Sequence, residues 1–207
     1  MASFLQYKTN GIQWAVWKME ESLDALLALL PDARRVFCEQ DLNRFVSERR
    51  KMEWLSVRVL LYAMLQEDKE IGYSPEGKPY LTDHSFFISI SHTKGYAAVC
   101  WHPSRAVSID IEMIRPKALS LKERFVHPDE QVEGDEVHAS LLLWSMKETL
   151  FKIIDNQEAV NFRSHLFINP FKISSEGMSY GLDRRNPDML YKLDYWVDSD
   201  FVLTRIG

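Results

Sequence analysis

The sequence predicts an α+β protein made of two similar halves, residues 1–103 and 104–207, with an active site in a cleft between them. Two observations lead to this reading. An order of strand, short helices, long helix and closing strands runs from Ile12 to Trp101, and the same order begins again at Ala106. With 207 residues, 46% hydrophobic and 27% charged, the chain has the make-up of a soluble globular protein with a sizeable core. The two halves share no sequence repeat, so their likeness is one of architecture alone.

Composition also narrows the function. A formal net charge of −5 argues against a general nucleic-acid or anionic-membrane binder, while leaving room for a local basic site. Cys38 and Cys100 have neither metal-ligand spacing nor the density of a disulfide framework. No apolar run approaches the ~20 residues of a membrane span. The start, MASFLQYKTN, lacks a signal-peptide pattern. The chain is expected in the cytoplasm.

Taken in order, Ile12–Trp17 alternates and is rich in aromatics, so it reads as the first strand. Glu20–Leu30 carries Leu23, Leu26, Leu27 and Leu30 at helical spacing before Pro31 forces a break, and a second helical piece starts with Asp32 as N-cap. The longest helix is expected from Ser47 to Glu67, with a basic beginning at Arg49, Arg50 and Lys51 downstream of Arg34, Arg35 and Arg44. Such a cluster is either a solvated helix end or an anion site. Gly72–Leu81 reads as loop, punctuated by Pro75, Gly77 and Pro79.

Phe86–Ser91, Tyr96–Trp101 and Ala106–Glu112 alternate and are separated by turn residues, which predicts an up-down-up meander. Its first and third strands would end at one edge of the sheet, bringing Ser91–His92 towards Asp110–Glu112. A short helix follows at Leu119–Arg124, then a charged connection and a strong helix over Ala139–Ile154. In that helix Leu142, Met146, Leu150 and Ile153 form an apolar stripe, while Ser145, Glu148 and Lys152 share another face. The tail returns to strands near Leu166–Ile173, Leu190–Val197 and Phe201–Ile206.

The stretch Val107–Glu112 (VSIDIE) carries the chemistry. At strand period, Val107, Ile109 and Ile111 point one way and Ser108, Asp110 and Glu112 the other. Two carboxylates held ~6 Å apart at an effective dielectric of ~20 repel by about 3 kcal/mol. That repulsion is relieved by solvation, by protonating one of them, or by a cation between them. Hard oxygen ligands at this spacing suit Mg²⁺; the plain alternative is a solvated polar face.

At this point the residues resemble a family, the 4′-phosphopantetheinyl transferases of the type that activates surfactin synthetase. The matching pieces are Gly77-Lys78-Pro79, Ile90-Ser91-His92, Asp110-Ile111-Glu112 and Trp144-Ser145-Met146-Lys147-Glu148, followed by Lys152. The resemblance implies a pseudo-dimer that uses Mg²⁺, or Mn²⁺ in its place, to move the 4′-phosphopantetheine arm of coenzyme A onto a serine of an acyl or peptidyl carrier protein, releasing 3′,5′-ADP. Asp110, Glu112 and Glu148 are then the metal ligands, and Glu148 is also the base for the serine. Lys152 contacts the phosphates, His92 with Arg49 or Arg50 takes the 3′-phosphate, and the Lys78 loop meets the adenosine. Implied partners are coenzyme A and the carrier, with no nucleic acid or membrane, and the chain is expected to act as a monomer. The chain departs from the family pattern at Ser108, Ser89 and the IIDNQEAVNF segment after Lys152. Two other readings use the same residues: a Mg²⁺-dependent phosphodiesterase or nucleotide hydrolase, and a non-catalytic coenzyme A or carrier-binding module.

Overall fold

Two alternating runs on either side of Gly11 pair antiparallel, β1 (Phe4–Thr9) and β2 (Ile12–Lys18), with Thr9 opposite Ile12. Gly11 turns the chain at φ +82°, a left-handed conformation that favours glycine. The sequence signal for this hairpin is an Asn-Gly pair between alternating runs, and β1 was absent from the expected elements. The computed structural model describes residues 4–9, 11–115 and 117–207. The chain divides into two compact units, Met1–Arg105 and Ala106–Gly207, and the mixed α+β class is as expected.

In the first unit, α1 is only Leu23–Leu27, capped by the Ser22 hydroxyl, which accepts a bond from the Ala25 N–H at 3.2 Å. The expected Glu20–Leu30 helix stops early because a residue before proline disfavours helical backbone. Pro31, not Asp32, is the N-cap of α2 (Asp32–Leu42). The long helix α3 (Glu48–Leu65) starts at the Ser47 cap and ends where Gln66 turns left-handed at φ 54°. Its residues Leu55, Val57, Val59, Leu60, Leu61 and Met64 are buried with Trp17, Leu26 and Val99 in this unit's core. Each such fully buried aliphatic side chain contributes roughly 1.5–3 kcal/mol.

The stretch expected as loop is a hairpin of β3 (Ile71–Tyr73) and β4 (Pro79–Leu81), closed by a turn with Gly77 at φ +83°. β5 (Phe87–Thr93) and β6 (Tyr96–His102) complete a sheet ordered β1-β2-β6-β5.

The second unit opens with β7 (Ser108–Met113), then α4 (Lys117–Leu121), a 3₁₀ turn over Lys122–Arg124, β8 (Val132–Glu133) and α5 (Glu136–Ile153). It closes with β9 (Leu166–Ile168), β10 (Phe171–Lys172), β11 (Glu176–Asp183), β12 (Leu190–Val197) and β13 (Phe201–Ile206). The sheet order is β7-β13-β12-β11-β9, with β8 and β10 forming a small parallel pair.

The expected meander is therefore corrected. β6 takes β2 as its second neighbour, so β7 does not extend that sheet and instead pairs with β13. Both edges of β6 are already hydrogen-bonded, by β5 and β2, which leaves no place for a third strand. The inference from strand direction that Ser91–His92 approaches Asp110–Glu112 loses its basis.

The two units share a local plan. In each, an early strand (the second of the first unit, the first of the second) pairs with the last strand of the main sheet in chain order, which pairs with the one before it: β2-β6-β5 and β7-β13-β12. In each, the long helix packs on that early strand and the last one, α3 on β2 and β6, α5 on β7 and β13.

Candidate active site

The alternation of β7 is kept, but its polar face is not solvated. Ser108 and Asp110 are buried and Glu112 is half-buried, because α5 lies over that face. Their side chains meet a polar stripe along α5. Ser108 Oγ donates to the Thr149 carbonyl at 2.6 Å, which gives this departure from the family pattern a satisfied hydroxyl. Thr204 of β13, opposite Asp110 in register, shares hydroxyl bonds with Ser145 at 2.8 Å and Thr149 at 2.6 Å. A dry polar seam of this kind is stable only when its members are hydrogen-bonded.

The carboxylates stand at the end of that seam. Lys152 Nζ reaches Asp110 Oδ1 at 2.7 Å and donates to the Ile109 carbonyl at 2.9 Å. Lys152 thus pairs across to β7 rather than with Glu148 four residues back on its own helix. Glu112 Oε1 accepts from Trp144 Nε1 at 2.8 Å, and the Trp144 ring is flanked by Phe125 and Phe162 at 5.2 and 5.4 Å between centroids. Glu148 is half-buried on the same stretch of α5.

Burial pushes the Glu148 carboxyl up to about 7; the charges of Asp110 and Glu112 add to the rise and Lys152 opposes it. Glu112 is likewise pushed up to about 7, by burial and then by Asp110, against the Trp144 bond and the charges of Lys152 and Arg115. Three acidic groups therefore sense one another around a single lysine. Beside Glu112 opens a cavity of about 500 Å³ walled by Leu121, Phe125, Leu141, Trp144 and Phe162.

Among the described residues no group of three His, Cys, Asp or Glu side chains is gathered in metal-ligating geometry. The donor set still fits a hard divalent ion in kind. Asp110, Glu112 and Glu148 offer oxygen ligands, and the carboxyls of Glu112 and Glu148 are raised first by burial and then by their acidic neighbours, both of which a bound cation would offset.

Lys147, in the middle of the Trp144–Glu148 motif, does something else. It forms an ion pair with Glu130 at 2.8 Å, both side chains fully buried, and donates to the carbonyls of Phe125 at 2.6 Å and Phe162 at 2.9 Å. Glu130 in turn accepts from the backbone N–H groups of His127 at 2.7 Å and Ile168 at 2.8 Å. This lysine therefore ties down the two segments whose rings flank Trp144. The alternation in sequence gives no hint of it, since Lys147 reads as one more charge on a helix.

In the first unit, Arg49, Arg50 and His92 gather around a residue not singled out in the sequence, Glu53. Glu53 Oε1 accepts from Arg49 Nε at 2.7 Å and Oε2 from Arg50 Nη1 at 2.8 Å, while His92 Nδ1 stands 3.6 Å from Oε2. Arg50 Nη1 also lies 3.3 Å from His92 Nε2. Ser91 is buried on β5 beside the exposed His92.

Gly77, Lys78 and Pro79 sit in the β3–β4 turn, where the Lys78 N–H donates to Ser74 Oγ at 3.2 Å and Pro79 begins β4. Arg34 and Arg35 lie on α2 with acidic partners of their own, Asp68 at 2.5 Å and Asp32 at 3.2 Å.

Sequence comparison adds a second line of evidence. The chain is 32% identical over 117 residues to the 4′-phosphopantetheinyl transferase AcpT of Escherichia coli K12, covering 50% of this chain and 57% of that protein. It is 26% identical over 143 residues to the 4′-phosphopantetheinyl transferase Sfp of Bacillus subtilis strain 168, covering 64% and 63%. A third relative is the 4′-phosphopantetheinyl transferase gsp of Aneurinibacillus migulanus, 26% identical over 125 residues, covering 56% and 49%. No family profile matches the chain. The matches thus span about half to two-thirds of the relatives' own length. In sequence the chain is similar, over part of their length, to proteins named 4′-phosphopantetheinyl transferases, Sfp among them.

Proposed function

We propose that the protein transfers the 4′-phosphopantetheine arm of coenzyme A to a serine of an acyl or peptidyl carrier protein and releases 3′,5′-ADP. The observation that carries the reading is the set of acidic groups around Lys152, Asp110 buried and Glu112 and Glu148 half-buried, in a chain similar to proteins that bear that activity in their names. Asp110, Glu112 and Glu148 would hold Mg²⁺ or Mn²⁺, which when bound supplies charge neutralisation on phosphate oxygens.

The chain's own residues do the rest. The serine oxygen bonds to the phosphorus that bears pantetheine, and the bond from that phosphorus to the oxygen of 3′,5′-ADP breaks. Glu148 takes the serine proton, directly or through water. A carboxyl near 7 suits this task at neutral pH, because it is both ionised in part and basic enough to accept. Lys152, already beside Asp110, offers its ammonium to the phosphates. The departing 3′,5′-ADP is a stabilised anion and needs no strong general acid. Arg49, Arg50 and His92 bind the 3′-phosphate, and the Lys78 turn meets the adenosine.

In this reading the two halves form the pseudo-dimer that the resemblance implies, and the chain acts as a cytoplasmic monomer without nucleic acid or membrane. The test is intact-mass measurement of a panel of apo carrier proteins incubated with the protein, coenzyme A and Mg²⁺. Addition of one phosphopantetheine per carrier is the expected result. Release of 4′-phosphopantetheine without a carrier would overturn the transferase reading in favour of a hydrolase, and binding of coenzyme A with no turnover would overturn it in favour of a binding module.

A further inference from the structure

Glu53 is the most unexpected side chain of α3. It faces the interior of a helix whose neighbouring inward positions are Leu55, Val57 and Leu60, and it is 2% exposed. Burying a carboxylate is costly unless its oxygens are bonded, and an apolar side chain of similar size would be at least as stable there. Both oxygens are bonded, each to a different arginine one turn earlier on the same helix. Burial raises its pKa, yet the Arg49 bond, the His92 charge and the Arg50 bond outweigh it and hold the carboxyl below its ordinary value.

Arg49 and Arg50 are otherwise exposed, their side chains 68% and 53% accessible. A guanidinium on an exposed stem is mobile, and fixing it on arrival of a ligand weakens binding. Here Arg49 gives Glu53 only Nε and Arg50 only Nη1, so each guanidinium keeps further N–H groups for a second anion.

We propose that Glu53 is a positioning residue: its buried carboxylate divides its two oxygens between Arg49 and Arg50 and sets the two guanidiniums as one receptor for a phosphate monoester. The inference rests on the proposed function, which makes that monoester the 3′-phosphate of coenzyme A. It has a sign that simple electrostatics does not share. Removing a negative charge beside an anion site should tighten anion binding if charge alone counts. If the carboxylate instead orders the receptor, removing it loosens binding, because an amide can accept from one guanidinium but turns a donor towards the other.

The experiment is calorimetric titration of the full chain with coenzyme A and with dephospho-coenzyme A, in the wild type, Glu53→Gln and Glu53→Asp. The wild type should prefer coenzyme A by about tenfold or more, the scale of a charge-assisted phosphate contact. Glu53→Gln should cut that preference about fivefold or more while dephospho-coenzyme A binds as before, which a general loss of fold would not allow. Glu53→Asp keeps the charge but is one methylene short of both guanidiniums, so it should show a similar loss. It carries the test if the glutamine variant does not fold. In an Arg49→Ala, Arg50→Ala background Glu53→Gln should have no further effect on the preference. An unchanged or larger preference in Glu53→Gln, or full rescue by aspartate, overturns the inference. A wild type that does not distinguish the two ligands overturns the 3′-phosphate reading itself, before any variant is measured.

Discussion

Replacing Glu148 by glutamine should make the protein more stable at pH 8, although it removes the residue assigned as base. The carboxyl is held at about 7 instead of its ordinary 4.5. At 1.36 kcal/mol per tenfold shift, this sets roughly 3 kcal/mol against the ionised form in the folded chain. Because the folded pKa lies above the unfolded one, the folded state retains a proton between pH 4.5 and about 7 that the unfolded state has released. The wild type therefore loses stability as pH rises through that window and carries the full penalty above it. Glu148→Gln is neutral at every pH and keeps the side chain's size.

The assay is urea unfolding of both proteins at pH 4, 6 and 8 in the presence of a chelator. The variant should gain up to about 3 kcal/mol at pH 8, less at pH 6, and nothing near pH 4, where both forms are protonated. Added Mg²⁺ should stabilise the wild type more than the variant, since the proposed site would lose an anionic ligand. A variant no more stable than wild type at pH 8, or a gain that does not fade with acid, would refute the reading that burial, with Asp110 and Glu112 adding to it, disfavours the ionised Glu148 carboxyl.

Two further outcomes follow from the same seam and its support. Asp110→Asn removes the largest charge raising Glu148 and frees Lys152 to act on it, so the Glu148 carboxyl should titrate nearer 4.5 in carboxyl-carbon NMR, and carrier modification should fall by ~10²-fold or more. Lys147→Met strands the fully buried Glu130 and leaves two carbonyls without their donor, so it should cost about 3–5 kcal/mol in urea unfolding; the double variant with Glu130→Gln should recover part of it. A loss under about 1 kcal/mol would show that the pair is not what holds the Phe125 and Phe162 segments.

What the sequence by itself determined was local. Ser47 as the start of α3, the apolar stripe of α5 through Leu142, Met146 and Leu150, and the alternation of Val107, Ile109 and Ile111 against Ser108, Asp110 and Glu112 all follow from side-chain period and capping chemistry. The expectation of two similar halves also came from the sequence, because an order of strands and helices is written along the chain. Pairing was not. That β6 joins β2 and that β7 joins β13 depends on which strand edges are already taken, a choice made between residues far apart in sequence. The hairpin turn at Gly77 hid two three-residue strands behind glycine and proline. Burial of charge was decided only in three dimensions: the face whose plain alternative was solvation lies under α5, Lys152 turns to Asp110 instead of Glu148, and Lys147 and Glu53 go inside. A charged side chain enters a core only when specific partners meet it there, and those partners, Glu130 for Lys147 and Lys152 for Asp110, are supplied by other segments of the fold.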